Sequence, residues 1–163
     1  MITFKKIICP IDFSKSSRRD LEAACGLARQ FDSELWLVHI VADLQPLDPP
    51  PEFASFDFTA FNFENYRKEM RAAARKELKG MIKKEKESGV RVKIMVELGN
   101  PAEEIVRLAQ EKKADLILLS SHAKIGMFRR LFGSVAYAIV SHSPCPVLLL
   151  PGPVKSKSGV KKK

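Results

Sequence analysis

The apolar positions change their period several times along the chain, and each change predicts an element. Ile7, Ile8 and Cys9 form an unbroken apolar run inside residues 4–11, which reads as a first strand. From Leu21 the spacing lengthens. Leu21, Ala24, Cys25, Ala28 and Phe31 recur at intervals that place them on one face of a helix laid on a sheet, with Ser14 positioned to cap its start. Residues 35–41 are apolar almost throughout, as a strand covered on both faces must be. A second helical period runs over 64–88, with Met70, Ala74, Leu78, Met81 and Ile82 inward and Gly89 ending it.

Residues 90–98 alternate strictly, Val90, Val92, Ile94, Val96 and Leu98 against Arg91, Lys93, Met95 and Glu97. One buried and one wet face suit an edge strand. Asn100-Pro101-Ala102-Glu103 is a helix start, with Asn as cap and Pro in the first turn, and Ile105, Val106 and Ala109 face inward. Residues 116–119 are wholly apolar and therefore central. Gly133-Ser134 opens a helix through Val135, Ala136, Ile139 and Val140, and Val147–Leu150 is a last strand between two prolines. Strands and helices alternate from end to end, which means an α/β fold, a doubly wound parallel sheet with helices on both faces. In such sheets ligands bind beyond the C-terminal strand ends, where strand order reverses. That rule selects the turn after strand one (residues 12–14) and the turn after strand four (residues 120–134).

Residues 42–63 break the alternation, with Pro46, Pro49, Pro50 and Pro51 followed by Phe53, Phe56, Phe58, Phe61 and Phe63. A loop of this length in a compact domain is often a lid, a binding segment or disordered, and its phenylalanines either cover the core next to the second helix or flank a binding site. The length of 163 residues fits one domain over residues 1–151, followed by a basic tail over 152–163 that reads as disordered. Lys155, Lys157, Lys161, Lys162 and Lys163 supply five of the nine net positive charges and leave a mild +4 for the rest. The basic balance is thus mostly a property of the tail, which can adhere to anionic polymers without implying a specific nucleic-acid partner. No apolar run is long enough for a membrane span, and no signal peptide is read at the N-terminus. Cys9, Cys25 and Cys145 are far apart and form no CxxC pair, so the expectation is a reduced, cytoplasmic setting.

The turn after strand one offers Asp12, which either meets a ribose or an amine or simply supports the helix start. It has no GxGxxG, which argues against a dinucleotide site. The turn after strand four contains serines, glycines and the cations Lys124, Arg129 and Arg130, and it ends at a helix N-terminus, where free N–H groups and the dipole favour an anion. His39 reads as structural, His122 as able to assist an anion, and His142 as a helix-end cation. The histidines and cysteines lack metal-ligand spacing, so no metal is expected. No base-plus-nucleophile pair accompanies either turn. Binding is therefore expected rather than catalysis, with slow ATP hydrolysis left open.

The stretches Ile8-Cys9-Pro10-Ile11-Asp12-Phe13-Ser14, Leu37-Val38-His39-Ile40, Gly99-Asn100-Pro101, Ala114-Asp115-Leu116-Ile117, Gly133-Ser134-Val135-Ala136 and Cys145-Pro146-Val147-Leu148 together resemble the universal stress protein family over residues 3–151. The resemblance implies a five-stranded parallel sheet in order 3-2-1-4-5, Rossmann-like and of the adenine nucleotide alpha-hydrolase type. It also implies a homodimer and, in one branch of the family, a site for ATP or AMP. That branch carries G-x-x-G-x9-G-[ST]. Here the third glycine and its hydroxyl residue match as Gly133 and Ser134, whereas Ser120 and Ala123 replace the first two. If either position needs left-handed backbone, the side chain strains the loop, and restoring glycine should tighten binding. The nucleotide site implied is Pro10, Ile11, Asp12, Ile40, Leu119, Ser120, His122, Ala123, Gly126, Arg130, Gly133, Ser134 and Val135. Asp12 would meet the ribose, Ile40 the adenine, and Gly133 and Ser134 the phosphates. The uncharged edge strand Val147, Leu148, Leu149 and Leu150 is the expected dimer contact. A competing expectation is a nucleotide-free dimeric interaction module that engages an unknown protein partner through the Phe-rich residues 53–63.

Overall fold

The structure, a computed structural model, describes residues 3–42, 62–83, 89–120 and 133–151. In chain order the elements are β1 (Lys6–Pro10), α1 (Ser17–Phe31), β2 (Glu34–Val41), α2 (Phe63–Met81), β3 (Arg91–Leu98), α3 (Pro101–Glu111), β4 (Leu116–Ser120), α4 (Ser134–His142) and β5 (Val147–Leu150). The five strands form one parallel sheet in the order β3-β2-β1-β4-β5. Ile8 pairs with Trp36 on one side and with Ile117 on the other, so β1 is the middle strand. The alternating β3 lies at one edge, as its period predicts.

Period-two geometry sends neighbouring side chains of the central strands to opposite layers. Ile7, Cys9, Leu35, Leu37 and Leu118 pack with Leu21, Ala24, Ala28, Ala74 and Leu78 of α1 and α2. Ile8, Val38, Ile117 and Leu119 pack on the other face with Ile105 and Leu108 of α3 and with Ala136 and Ile139 of α4. Every residue of β4 is buried, which is why its sequence shows no alternation.

Three local expectations are corrected. Ser14 does not cap α1, which begins at Ser17. The Ser14 amide donates to Asp12 Oδ1 at 2.9 Å, its carbonyl accepts from the Ser17 amide at 3.1 Å, and its hydroxyl lies 2.9 Å from that of Ser16. The serine is thus spent on a tight turn ahead of the helix. The second helix starts at Phe63, because the Asn62 side chain accepts from the Asn65 amide, and ends at Met81, where Ile82 turns out of helical geometry (φ −92°, ψ 6°); residues 84–88 of the expected span lie outside the described residues. Ile82 itself is buried in the core, so the chain leaves the helix to fill the layer between α2 and the sheet. Met70, expected inward, is exposed on α2, one turn before Ala74 reaches the sheet.

Most of the Pro- and Phe-rich stretch, from 43 to 61, lies outside the described residues, as does the basic tail 152–163. Among the described residues no helix is long and apolar enough to cross a membrane.

Candidate functional site

In sequence order β1 is followed by β2 on one side, while the chain returns from β3 to β4 on the other, so the reversal of strand order falls between β1 and β4. A cleft of about 470 Å³ opens there, at the C-terminal strand ends. Nine expected site residues line it together: Pro10, Ile11, Asp12, Ile40, Leu119, Ser120, Gly133, Ser134 and Val135. His122, Ala123, Gly126 and Arg130 lie outside the described residues. The lining also includes Asp20, Val38, His39, Pro101, Ile105, Ala136 and Ile139, which are not among the expected site residues, although Val38, His39, Pro101 and Ala136 fall within the motif stretches. Asp20 carried a usable signal. It falls on the buried stripe of α1 with Ser17, Leu21, Ala24 and Ala28, so a helical period places this carboxylate inward.

The turn after β1 is organised by one carboxylate. Asp12 Oδ1 accepts from the Ser14 amide and from the Ser17 hydroxyl, each at 2.9 Å. The helix-support reading of Asp12 therefore holds, and the same residue also faces the cleft. Phe13 takes φ of 58°, a left-handed conformation uncommon for a bulky side chain. Its ring lies 4.4 Å from that of His39, whose Nδ1 is 2.7 Å from the Ile11 carbonyl. His39 thus ties the end of β2 to the turn after β1, in line with its structural reading.

The opposite wall is the first turn of α4. Gly133 is its N-cap in extended backbone (φ −65°, ψ 160°), no side chain caps it, and its carbonyl accepts the first helical hydrogen bond, from Tyr137. The amides of Ser134, Val135 and Ala136 precede that bond and have no intrahelical acceptor. At the other end of α4, His142 Nδ1 lies 2.9 Å from the Ala138 carbonyl, consistent with the helix-end role read for it.

The floor is built from α1 and β4. Ser120 Oγ donates to Asp20 Oδ1 and accepts from Arg19 Nη2 at 2.7 Å, while Arg19 Nη2 stands 3.6 Å from Asp20 Oδ1. Asp20 and Ser120 are both buried. Ser120 pairs with Leu150 as an ordinary strand residue and has no positive φ. This corrects the expectation of strain at Ser120, since there is none for a glycine to relieve. The Cys9 thiol is pushed well above its ordinary value by burial, with the Asp20 carboxylate and Cys25 adding to the effect, which disfavours the thiolate. Burial also raises the Cys145 thiol. Among the described residues no three His, Cys, Asp or Glu side chains converge as a metal set.

Comparisons with known proteins agree on one family. The model of the universal stress protein family matches residues 3–151. Universal stress protein MJ0531 of Methanocaldococcus jannaschii is 35% identical over 152 residues, covering 93% of this chain and 85% of that protein. The solved structure of MJ0577, a universal stress protein of the same organism, superposes with a TM-score of 0.74 at 25% identity over 94% of this chain and 99% of its own. A universal stress protein solved in complex with cAMP shares the fold at 20% identity (TM-score 0.67, 91% of this chain and 98% of that one). One from Archaeoglobus fulgidus in complex with dAMP does so at 22% (TM-score 0.55, 91% and 98%).

Proposed function

This chain belongs to the universal stress protein family, and from that premise we propose that it binds an adenine nucleotide, ATP or AMP, in the cleft between β1 and β4, to regulatory rather than catalytic effect. The observation that carries the reading is the meeting of apolar side chains and a helix N-terminus in one cleft. Val38, Ile40, Ile105, Leu119 and Ile139 offer apolar surface of the kind a purine ring buries against. In the same cleft the first turn of α4, uncapped by any described side chain, presents amides and the positive end of its dipole, which suit a phosphate. Asp12, at the mouth, supplies an acceptor for ribose hydroxyls.

Gly133 supports the same assignment. Its φ is open to any residue, and a Cβ built on it would meet nothing within 4 Å among the described residues. Neither the backbone nor packing against the described residues asks for glycine, whereas a phosphate approaching the amides would. That universal stress proteins sharing this fold have been solved in complex with cAMP and with dAMP supports the choice of ligand class.

Mass spectrometry of the denatured protein for co-purified nucleotide, followed by calorimetry with ATP and AMP, tests the proposal. Micromolar or tighter binding with no turnover is the expected result. Absence of binding would favour the interaction-module reading instead.

Copies of the chain are further proposed to associate through β5. Its outer edge has no strand partner among the described residues, and Leu148 is 39% exposed on it. Tyr137 and Val140 of the neighbouring helix α4 are exposed apolar surface as well. Bare uncharged edges of this kind invite pairing.

A further inference from the structure

The cleft floor carries a charge arrangement that the nucleotide reading does not by itself require. Among the described residues that line the cleft, the charged side chains are two carboxylates, Asp12 and Asp20. A phosphate drawn to α4 enters a space whose fixed side-chain charge has its own sign. Asp20 is 4% exposed, so water screens it little. Its oxygen Oδ1 receives the Ser120 hydroxyl, and that hydroxyl in turn receives a hydrogen bond from Arg19 Nη2, which stands 3.6 Å from the carboxylate. Arg19 does not line the cleft. Its side chain is 42% exposed and holds the counter-charge behind Ser120.

We propose that Ser120 is a specificity-positioning residue: by linking the buried Asp20 carboxylate to Arg19 it masks a negative charge in the cleft floor, and so sets how strongly the site discriminates among adenine ligands of different charge. This rests on the nucleotide reading above. A hydroxyl that receives one hydrogen bond and gives another polarises both, and in a low-dielectric site the pair is worth more than its parts. Loss of the hydroxyl removes the bridge, leaving Arg19 and Asp20 only their 3.6 Å charge contact and Asp20 with one donor fewer. The carboxylate then acts on whatever enters the cleft, and its effect scales with the ligand's charge.

That scaling separates this role from a merely structural one. Damage to the fold weakens adenosine, AMP and ATP alike, whereas an unmasked carboxylate weakens them in the order of their charge. The test is calorimetry of the full chain with adenosine, AMP and ATP at one low ionic strength, on the parent, Ser120→Ala, Ser120→Thr, Asp20→Asn and Ser120→Ala/Asp20→Asn, with urea unfolding run alongside. Ser120→Ala is expected to lose roughly tenfold in affinity for ATP, about threefold for AMP and under about twofold for adenosine. Ser120→Thr keeps the hydroxyl and should retain the parent pattern. Asp20→Asn alone removes a charge already masked and should change the ATP-to-adenosine ratio less than Ser120→Ala does, and the double variant should not show the gradient of Ser120→Ala.

Equal losses for all three ligands, or a gradient that survives Asp20→Asn, would overturn the proposal while leaving nucleotide binding intact. A parent that binds none of the three overturns both. Should Ser120→Ala fail to fold, Arg19→Gln, which removes the counter-charge outside the cleft, takes its place: losses graded by ligand charge are expected, and equal losses for the three ligands overturn the proposal.

Discussion

The ring of Phe13 lies 4.4 Å from the ring of His39, and the histidine reaches past it to the carbonyl of Ile11. A left-handed Phe13 is thereby held in place by its neighbour on β2. Replacing His39 with Ala removes both the stacking surface and the partner of a carbonyl whose residue is only 3% exposed. The expected cost is about 1–3 kcal/mol, read from urea unfolding. His39→Phe should recover part of it, because the ring contact returns without the hydrogen bond.

Asp12 serves the turn and faces the cleft at once. Asp12→Ala should lower stability by about 1 kcal/mol, through the lost bonds to Ser14 and Ser17. If the ribose is also held there, nucleotide affinity falls by roughly tenfold or more, beyond what the stability loss accounts for. Calorimetry at a temperature well below the unfolding midpoint separates the two effects.

Leu148 offers the cleanest probe of association. Leu149 and Val147 pack under α4, so a charge at either would damage the core as well, whereas Leu148 is 39% exposed. Leu148→Lys is expected to give a monomer by light scattering, with the unfolding midpoint of the monomer little changed. A dimer mass that survives the substitution counts against the β5 contact.

The thiols make a pH prediction. Burial holds the Cys9 thiol above its ordinary value of 9.0, with Asp20 and Cys25 acting in the same direction. Protons are therefore retained by the folded state and released by the unfolded chain. The stability this thiol contributes is complete below about pH 9 and is lost as pH rises through the unfolded value toward the folded one. Cys9→Ala should flatten the alkaline fall in stability, measured as the difference in urea midpoint between pH 8 and pH 10. A thiol reagent at neutral pH should find Cys145, which is half-buried, well before Cys9 or Cys25, which are buried.

Gly99 is held to glycine by two independent demands. Its φ is 134°, and a Cβ there would come within 3.1 Å of Glu104 Cγ. Gly99→Ala should cost about 1–3 kcal/mol, most of it backbone strain because the Glu104 side chain can shift. Thermal unfolding would show this as a fall of several degrees.

The elements and their inward faces were legible because the periods are clean. β4 reads as central from its unbroken apolar run, and β3 as an edge from its alternation. Strand order was legible only through family resemblance, since apolar runs do not say which strand sits beside which. The cleft walls followed from the strand-end rule and the α4 start. Its floor did not, because it depends on Asp20 and Ser120 meeting from elements 100 positions apart. The turn before α1 was misplaced for a related reason. Three serines in residues 14–17 offer several local hydrogen-bonding patterns, and contact with Asp12 chooses among them.

The position of β1 between β2 and β4 has a consequence for how the chain comes off the ribosome. Backbone amides of Lys5 and Lys6 at the start of the chain are received by Asp115, 110 and 109 residues later. Until β4 has been synthesised, β1 has a neighbour on one side only, and Ile7, Ile8 and Cys9 present an apolar open margin. The nascent chain must carry that margin through the making of three helices and two further strands. Contacts this distant also close slowly. A chain cut after β3 should therefore aggregate rather than fold as a smaller domain, and the interval before β4 emerges is when this protein has most need of a chaperone.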